Sequence, residues 1–158
     1  MKIAIGSDHA GYEVKETVKQ ILDEMGLEYE DFGTYSAESV DYPDFAGRVA
    51  EAVAQGQAVR GLLVCGSGIG MSIVANKFPG VRAAVCHNVE TARLSREHND
   101  ANVLAIGART TPIKTINEMV RTFFNTEFVG GRHTRRLEKI EELEDRWANN
   151  QMTSEKIQ

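Results

Sequence analysis

Residues 63–77, LVCGSGIGMSIVANK, run a short apolar stretch into a cysteine, then three glycines within five residues, then a helical pattern. Read as strand, glycine loop and helix, this is a joint at which α/β proteins bind anions. Glycines let backbone N–H groups approach a ligand at the positive end of a helix. Spacing makes the common nucleotide-binding versions weak candidates. A dinucleotide fingerprint is G-x-G-x-x-G with an acidic residue ending the next strand. Here residues 66–70 read G-x-G-x-G, Met71 takes the third glycine's place, and the next apolar run ends in Cys86 and His87. A P-loop needs Gly-Lys-Ser/Thr, which neither this loop nor 6-GSDHAG-11 supplies. What remains is an anion cradle preceded by a thiol.

Outward from this joint, short apolar runs alternate with amphipathic segments along most of the chain. The pattern predicts strands at Lys2–Ser7, Tyr29–Gly33, Gly61–Cys65, Arg82–His87 and Val103–Gly107. Between them, Val14, Val18, Ile21, Leu22 and Met25 recur at helical spacing, as do Phe45, Val49, Ala52 and Val53. Gly26, Gly33, Gly56 and Gly80 punctuate the joints. Such alternation with short connections predicts an α/β fold, a parallel sheet wrapped by helices on both faces through right-handed crossovers.

The last third reads differently. Pro112–Phe124 continues the pattern as a helix with Ile113, Ile116, Val120 and Phe123 on one face. After Gly130 and Gly131 comes a charged helix, Arg132 to about Trp147, with a narrow stripe of Leu137, Ile140, Leu143 and Trp147. That stripe is thinner than a core helix needs and close to a coiled-coil seam. The helix therefore lies on its own domain or packs on a partner subunit. Residues 1–149 read as one domain, and 150–158, with little apolar pattern, as a frayed tail.

Composition narrows the function classes. The 158 residues are 42% apolar and 26% charged, and the formal charge of −5 argues against general nucleic-acid or membrane-surface binding. The N-terminus is too polar after Ile5 for a signal peptide, and no apolar run approaches the ~20 residues of a membrane span. Two cysteines make no disulfide framework and fit a reducing compartment, so a cytoplasmic protein is expected.

Ligands of open parallel sheets bind beyond the carboxyl ends of the strands. Cys65 lies there, beside the 66–70 cradle, and a thiol just before a helix N-terminus loses its proton more readily than a free one. The plainer alternative is a buried, inert cysteine. Cys86 also ends a strand but has no glycine cradle after it, and is read as packing. Asp8 and His9 follow the first strand and share the Cys65 edge, although Asp8 also suits a helix N-cap. His98 and Asn99 end a helix, where a dipole-stabilised charge and a C-cap are the ordinary uses. Arg132 and Arg136 are four apart and so face one way, either as a solvated face or as a pair of guanidiniums suited to a phosphate monoester.

Five blocks in order now resemble a known family: GSDHAG at 6–11, DYPDFA at 41–46, CGSGIGMSIVANK at 65–77, SREHNDANVLAIGAR at 95–109 and GGRHTRRLEKI at 130–140. Over roughly residues 1–145 the chain resembles the ribose-5-phosphate isomerase B type of sugar-phosphate isomerase, which includes galactose-6-phosphate isomerase subunits. The resemblance implies a Rossmann-like three-layer sandwich with a five-stranded parallel sheet and an extended C-terminal helix. It further implies a homodimer or dimer of dimers, with no cofactor and no metal. It puts Cys65 at the catalytic base and His98 at the acid that opens the sugar ring. Asp8 and His9 fall at ligand-binding positions, and Gly66, Ser67, Gly68, Ile69 and Gly70 at the anion cradle. Ser67 keeps the hydroxyl that some members carry as threonine. Asn99 matches a hydroxyl-binding residue, and Arg132 and Arg136 match the phosphate clamp. Some members lack the cysteine and place a glutamate elsewhere; Cys65 puts this chain in the cysteine-based group.

Elementary chemistry agrees. Aldose–ketose interconversion moves a proton between C1 and C2 through an enediolate, which asks for a base titrating near neutrality and fixed donors for the oxyanion. The reading is an isomerase of ribose 5-phosphate and ribulose 5-phosphate. Its alternatives are a hexose 6-phosphate isomerase (allose or galactose 6-phosphate) and a non-catalytic nucleotide-binding module on the same fold. Family members acting on galactose 6-phosphate use two different subunits, whereas this single chain carries the whole set. One more expectation follows from chain direction. A helix between parallel strands runs back against them, so Cys65, ending a strand, and His98 and Asn99, ending a helix, fall at opposite edges of the sheet. A site needing all three is therefore expected to be shared between two subunits.

Overall fold

The computed structural model describes the backbone of residues 1–155 and the side chains of residues 1–150. Strands and helices alternate as β1 (Lys2–Ser7), α1 (Tyr12–Glu24), β2 (Glu28–Asp31), α2 (Tyr42–Ala54), β3 (Arg60–Cys65) and α3 (Ile69–Ala75). They continue as β4 (Ala83–Val85), α4 (Val89–Asn99), β5 (Val103–Gly107) and α5 (Ile113–Asn125). A 3-10 turn at Gly131–His133 then leads into α6 (Thr134–Glu155). Residues 1–128 form one compact unit, and the described residues from 129 onward form a second.

In the first unit the five strands pair in parallel, in the order β2-β1-β3-β5-β4. The three inner strands are buried on both faces, which is why they read as unbroken apolar runs. Successive side chains point to opposite faces. Ile3, Ile5, Leu62, Val64, Leu104 and Ile106 pack with α1, α4 and α5, while Ala4, Leu63, Cys65, Val103 and Ala105 pack with α2 and α3. The three-layer α/β architecture is thus the expected one. The edge strands β2 and β4 are shorter than their sequences predict, four residues and three. Each has a neighbour on one side only, so fewer ladder bonds hold its ends.

Buried polar groups secure the joints. The fully buried Lys15 extends its ammonium to Asp31 Oδ1 at 2.5 Å and to the Thr34 carbonyl at 2.6 Å, tying the segment after β2 to α1. Arg60 Nη1 donates to the carbonyls of Phe123 and Phe124, both at 3.1 Å, satisfying the last turn of α5.

In the second unit α6 begins at Thr134, so Arg132 lies in the preceding 3-10 turn rather than on one helix face with Arg136. The 22-residue helix continues past Asn149 to Glu155 without an apolar stripe there, since adding a residue to a helix already nucleated costs far less than starting one. Residues 156–158 of the expected tail lie outside the described residues. Ile140, Leu143 and Trp147 are exposed. Among the described residues no helix is long and apolar enough to cross a membrane.

Candidate active site

β1 and β3 are neighbours, yet the helices that follow them leave to opposite faces, α1 to one and α3 to the other. Such a reversal opens a crevice at the carboxyl edge of a parallel sheet. A cleft of about 390 Å³ lies there, lined by Asp8 from the β1 loop and by Cys65, Gly66, Ser67 and Gly70 from the β3 loop. Tyr42, at the start of α2, and Arg109 and Thr110, after β5, complete it.

Cys65 is 5% exposed, and its Sγ accepts the Gly68 N–H at 3.0 Å. A thiolate accepts such a bond more strongly than a thiol. Gly68 reaches this position with φ +78°, a left-handed conformation, and a Cβ there would lie 2.9 Å from the Ile106 carbonyl carbon. The Ile69 N–H donates to Ser67 Oγ at 3.3 Å. Two amides of the expected cradle are therefore engaged within the loop, holding the sulfur and the hydroxyl in place. Cys86 differs: it is 1% exposed, and burial pushes its thiol upward against the pull of the Ser95 and Thr91 hydroxyls. That is a packing cysteine, as its sequence context predicts.

Asp8 is not the N-cap of α1. That position falls to Gly11, and Asp8 Oδ1 instead accepts the Gly11 N–H at 3.0 Å, stabilising the turn that leads into the helix. His9 Nδ1 lies 3.2 Å from both the amide nitrogen and the carbonyl oxygen of Val40, so the first loop is tied to the segment entering α2. Two residues on, Tyr42 packs against Gly70, where an added Cβ would come within 2.6 Å of Tyr42 Cζ. Arg109 is anchored by its own N–H to the Gly66 carbonyl at 3.0 Å, and Ala108 N–H donates to the Cys65 carbonyl at 2.8 Å. The sequence reading does not single out Tyr42, Arg109 or Thr110. The one signal available for the latter two is that they follow β5 at the edge where Cys65 ends β3.

His98 and Asn99 do not line this cleft. They close α4, which runs back toward the start of β5, so in one chain they lie at the opposite edge of the sheet from Cys65. Asn99 is not the C-cap; Asp100 is, with φ +43°. Arg132 and Arg136 belong to the second unit and are exposed.

Comparison with known proteins gives the family. Residues 3–140 match the family described as ribose/galactose isomerase, and the chain belongs to that family. Within it, the chain is 46% identical over 145 residues to ribose-5-phosphate isomerase B of Escherichia coli K12, covering 92% of this chain and 97% of that one. The solved ribose-5-phosphate isomerase B of Clostridium thermocellum superposes with a TM-score of 0.91 at 53% identity, covering 93% of this chain and 99% of that one. The enzyme from Mycoplasma genitalium, solved with bound ribulose-5-phosphate, gives a TM-score of 0.88 at 38% identity, covering 91% and 96%.

Proposed function

We propose that the chain interconverts ribose 5-phosphate and ribulose 5-phosphate, with Cys65 as the base. The observation that carries this is a thiol held by the Gly68 amide in a cleft it shares with a carboxylate, a hydroxyl and a guanidinium. The relatives from Escherichia coli and Clostridium thermocellum, which bear the ribose-5-phosphate isomerase name, support it.

The Cys65 thiolate takes the C2 proton of the open aldose, and the electron pair forms the C1–C2 double bond of an enediolate. The proton returns to C1 as the C2 carbonyl forms, while the O2 proton passes to O1. Ser67 suits that second transfer, because its Oγ accepts from Ile69 and leaves its own proton to donate. Asp8, His9 and the 66–70 loop bind the sugar. Arg109 adds positive charge at the cleft, and Arg132 and Arg136 hold the phosphate.

Before enolisation the furanose must open. His98 protonates ring oxygen O4 as the C1–O4 bond breaks, the C1 hydroxyl loses its proton, and Asn99 holds a sugar hydroxyl. Because His98 and Cys65 lie at opposite sheet edges in one chain, His98 comes from a second copy, and the working unit is a homodimer or a dimer of dimers. The test is a panel of ribose 5-phosphate, allose 6-phosphate and galactose 6-phosphate assayed on purified protein, with calorimetry against NAD. Ribose 5-phosphate should show the highest kcat/KM. A larger value for either hexose phosphate, or NAD binding without isomerase activity, overturns the assignment.

A further inference from the structure

Asp100 follows Asn99 directly and is the C-cap of α4, and no other non-glycine residue among those described has a positive φ. Glycine is the usual occupant of such a position, since it avoids the steric strain that a Cβ brings. Aspartate here adds two carboxylate bonds that glycine has no atoms for, beside a carbonyl bond that either residue could accept. Its Oδ1 accepts from Arg96 Nη1 at 2.7 Å, its Oδ2 accepts from Arg82 Nη2 at 3.2 Å, and its carbonyl accepts from Arg82 Nε at 3.1 Å. Arg96, two residues before His98 on the same helix, is 3% exposed. It also donates from Nη1 to the Ala101 carbonyl at 2.6 Å and from Nε to the Thr126 carbonyl at 3.2 Å. The last turn of α4 is thereby fastened to the start of β4 and to the segment after α5. An ordinary helix end needs only its carbonyls satisfied.

We propose that Asp100, gripped between Arg82 and Arg96, is a positioning residue that aims His98 at the ring oxygen. The inference rests on the reading that His98 opens the furanose. An acid must reach O4 in register with the breaking C1–O4 bond, and a misplacement of about 1 Å can cost roughly 10²-fold in rate. A terminal turn left to fray would not hold that register, because helix ends are the least constrained part of a helix. Two buried or half-buried guanidiniums on one carboxylate remove that freedom.

Sugar chemistry offers a readout that general destabilisation would not reproduce. Ribose 5-phosphate closes a ring through O4 and needs the acid. Ribulose 5-phosphate, with a ketone at C2 and O5 esterified, has no ring to open. Its enolisation needs only the Cys65 half of the site and is followed as C1 deuterium uptake in D2O. Asp100→Gly keeps the backbone conformation accessible while deleting both side-chain bonds. It should lower kcat on ribose 5-phosphate by at least about tenfold more than it lowers the exchange rate, a fraction of the misplacement penalty. His98→Ala, measured alongside, should show the same split more strongly. If Asp100→Gly does not fold, Arg82→Gln, which breaks the half-buried arm of the grip, is read in the same way. Equal losses in the two assays, or no loss in either, overturn the positioning role. A split in His98→Ala without one in the grip variants sinks this inference alone. No split in His98→Ala removes the ring-opening assignment and this inference with it.

Discussion

At the residue scale, Cys65 ends β3 and Cys86 directly follows β4 of the same sheet, but the two have different neighbours. Burial raises the Cys86 thiol, whereas Cys65 faces the cleft with an amide on its sulfur. Alkylation by iodoacetamide near neutral pH should therefore modify Cys65 first in the folded enzyme, and ribose 5-phosphate should protect it. Peptide mass spectrometry reads the outcome, and inactivation that tracks modification of Cys86 would reverse the assignment. Cys65→Ala should lower kcat by at least about 10²-fold, the low end of what a general base contributes. A steady-state assay of that variant showing near-normal turnover would give the base role to another group. The arginines are read through binding. With Arg132→Ala or Arg136→Ala, affinity for ribose 5-phosphate should fall far more than affinity for free ribose, and kcat can fall too if phosphate binding helps place C1 and C2. Equal losses for the two sugars would deny them the phosphate.

At the scale of elements, the β3–α3 joint is built by glycines with separate tasks. Gly68 has a left-handed backbone and faces the Ile106 main chain, which has no room to yield. Gly68→Ala should destabilise the fold by about 1–2 kcal/mol from the backbone term alone, and should also withdraw the amide from Cys65. Gly70 is different, because the atoms its Cβ would meet belong to the partly exposed ring of Tyr42, which can swing aside. Gly70→Ala should leave the urea midpoint nearly unchanged while raising KM through displacement of Tyr42 from the cleft. Urea melts and kinetics on both variants separate the two. The roles assigned to these glycines are wrong if Gly70→Ala is the less stable.

On the scale of the whole molecule, a small sugar cannot reach both edges of one sheet. Equal amounts of Cys65→Ala and His98→Ala, unfolded and refolded together, should recover activity on ribose 5-phosphate. Random pairing in a two-fold dimer leaves about a quarter of the sites with both residues intact when the site is shared. A mixture no more active than its components would place both residues in one chain's site.

Much of this was legible in the order of residues. Apolar runs and glycine punctuation report local periodicity, so the five strands, the parallel α/β class and the thiol before its glycine loop can be read without a partner in space. The separation of Cys65 from His98 was legible too, because a helix between parallel strands has to run back. Strand order was not. Arg109 and Thr110 join Cys65 because β5 pairs with β3, with Cys65 opposite Gly107, although β4 lies between them in the chain. Tyr42 joins because α2 packs on the same face as α3 and Gly70 lets the ring approach. Asp8 looked like a cap and Asn99 like a C-cap, but the caps fell to Gly11 and Asp100. Capping depends on the path of the chain into and out of the helix. Periodicity is a property of neighbours along the chain, whereas a site is a property of neighbours across the sheet, and only tertiary packing decides which residues those are.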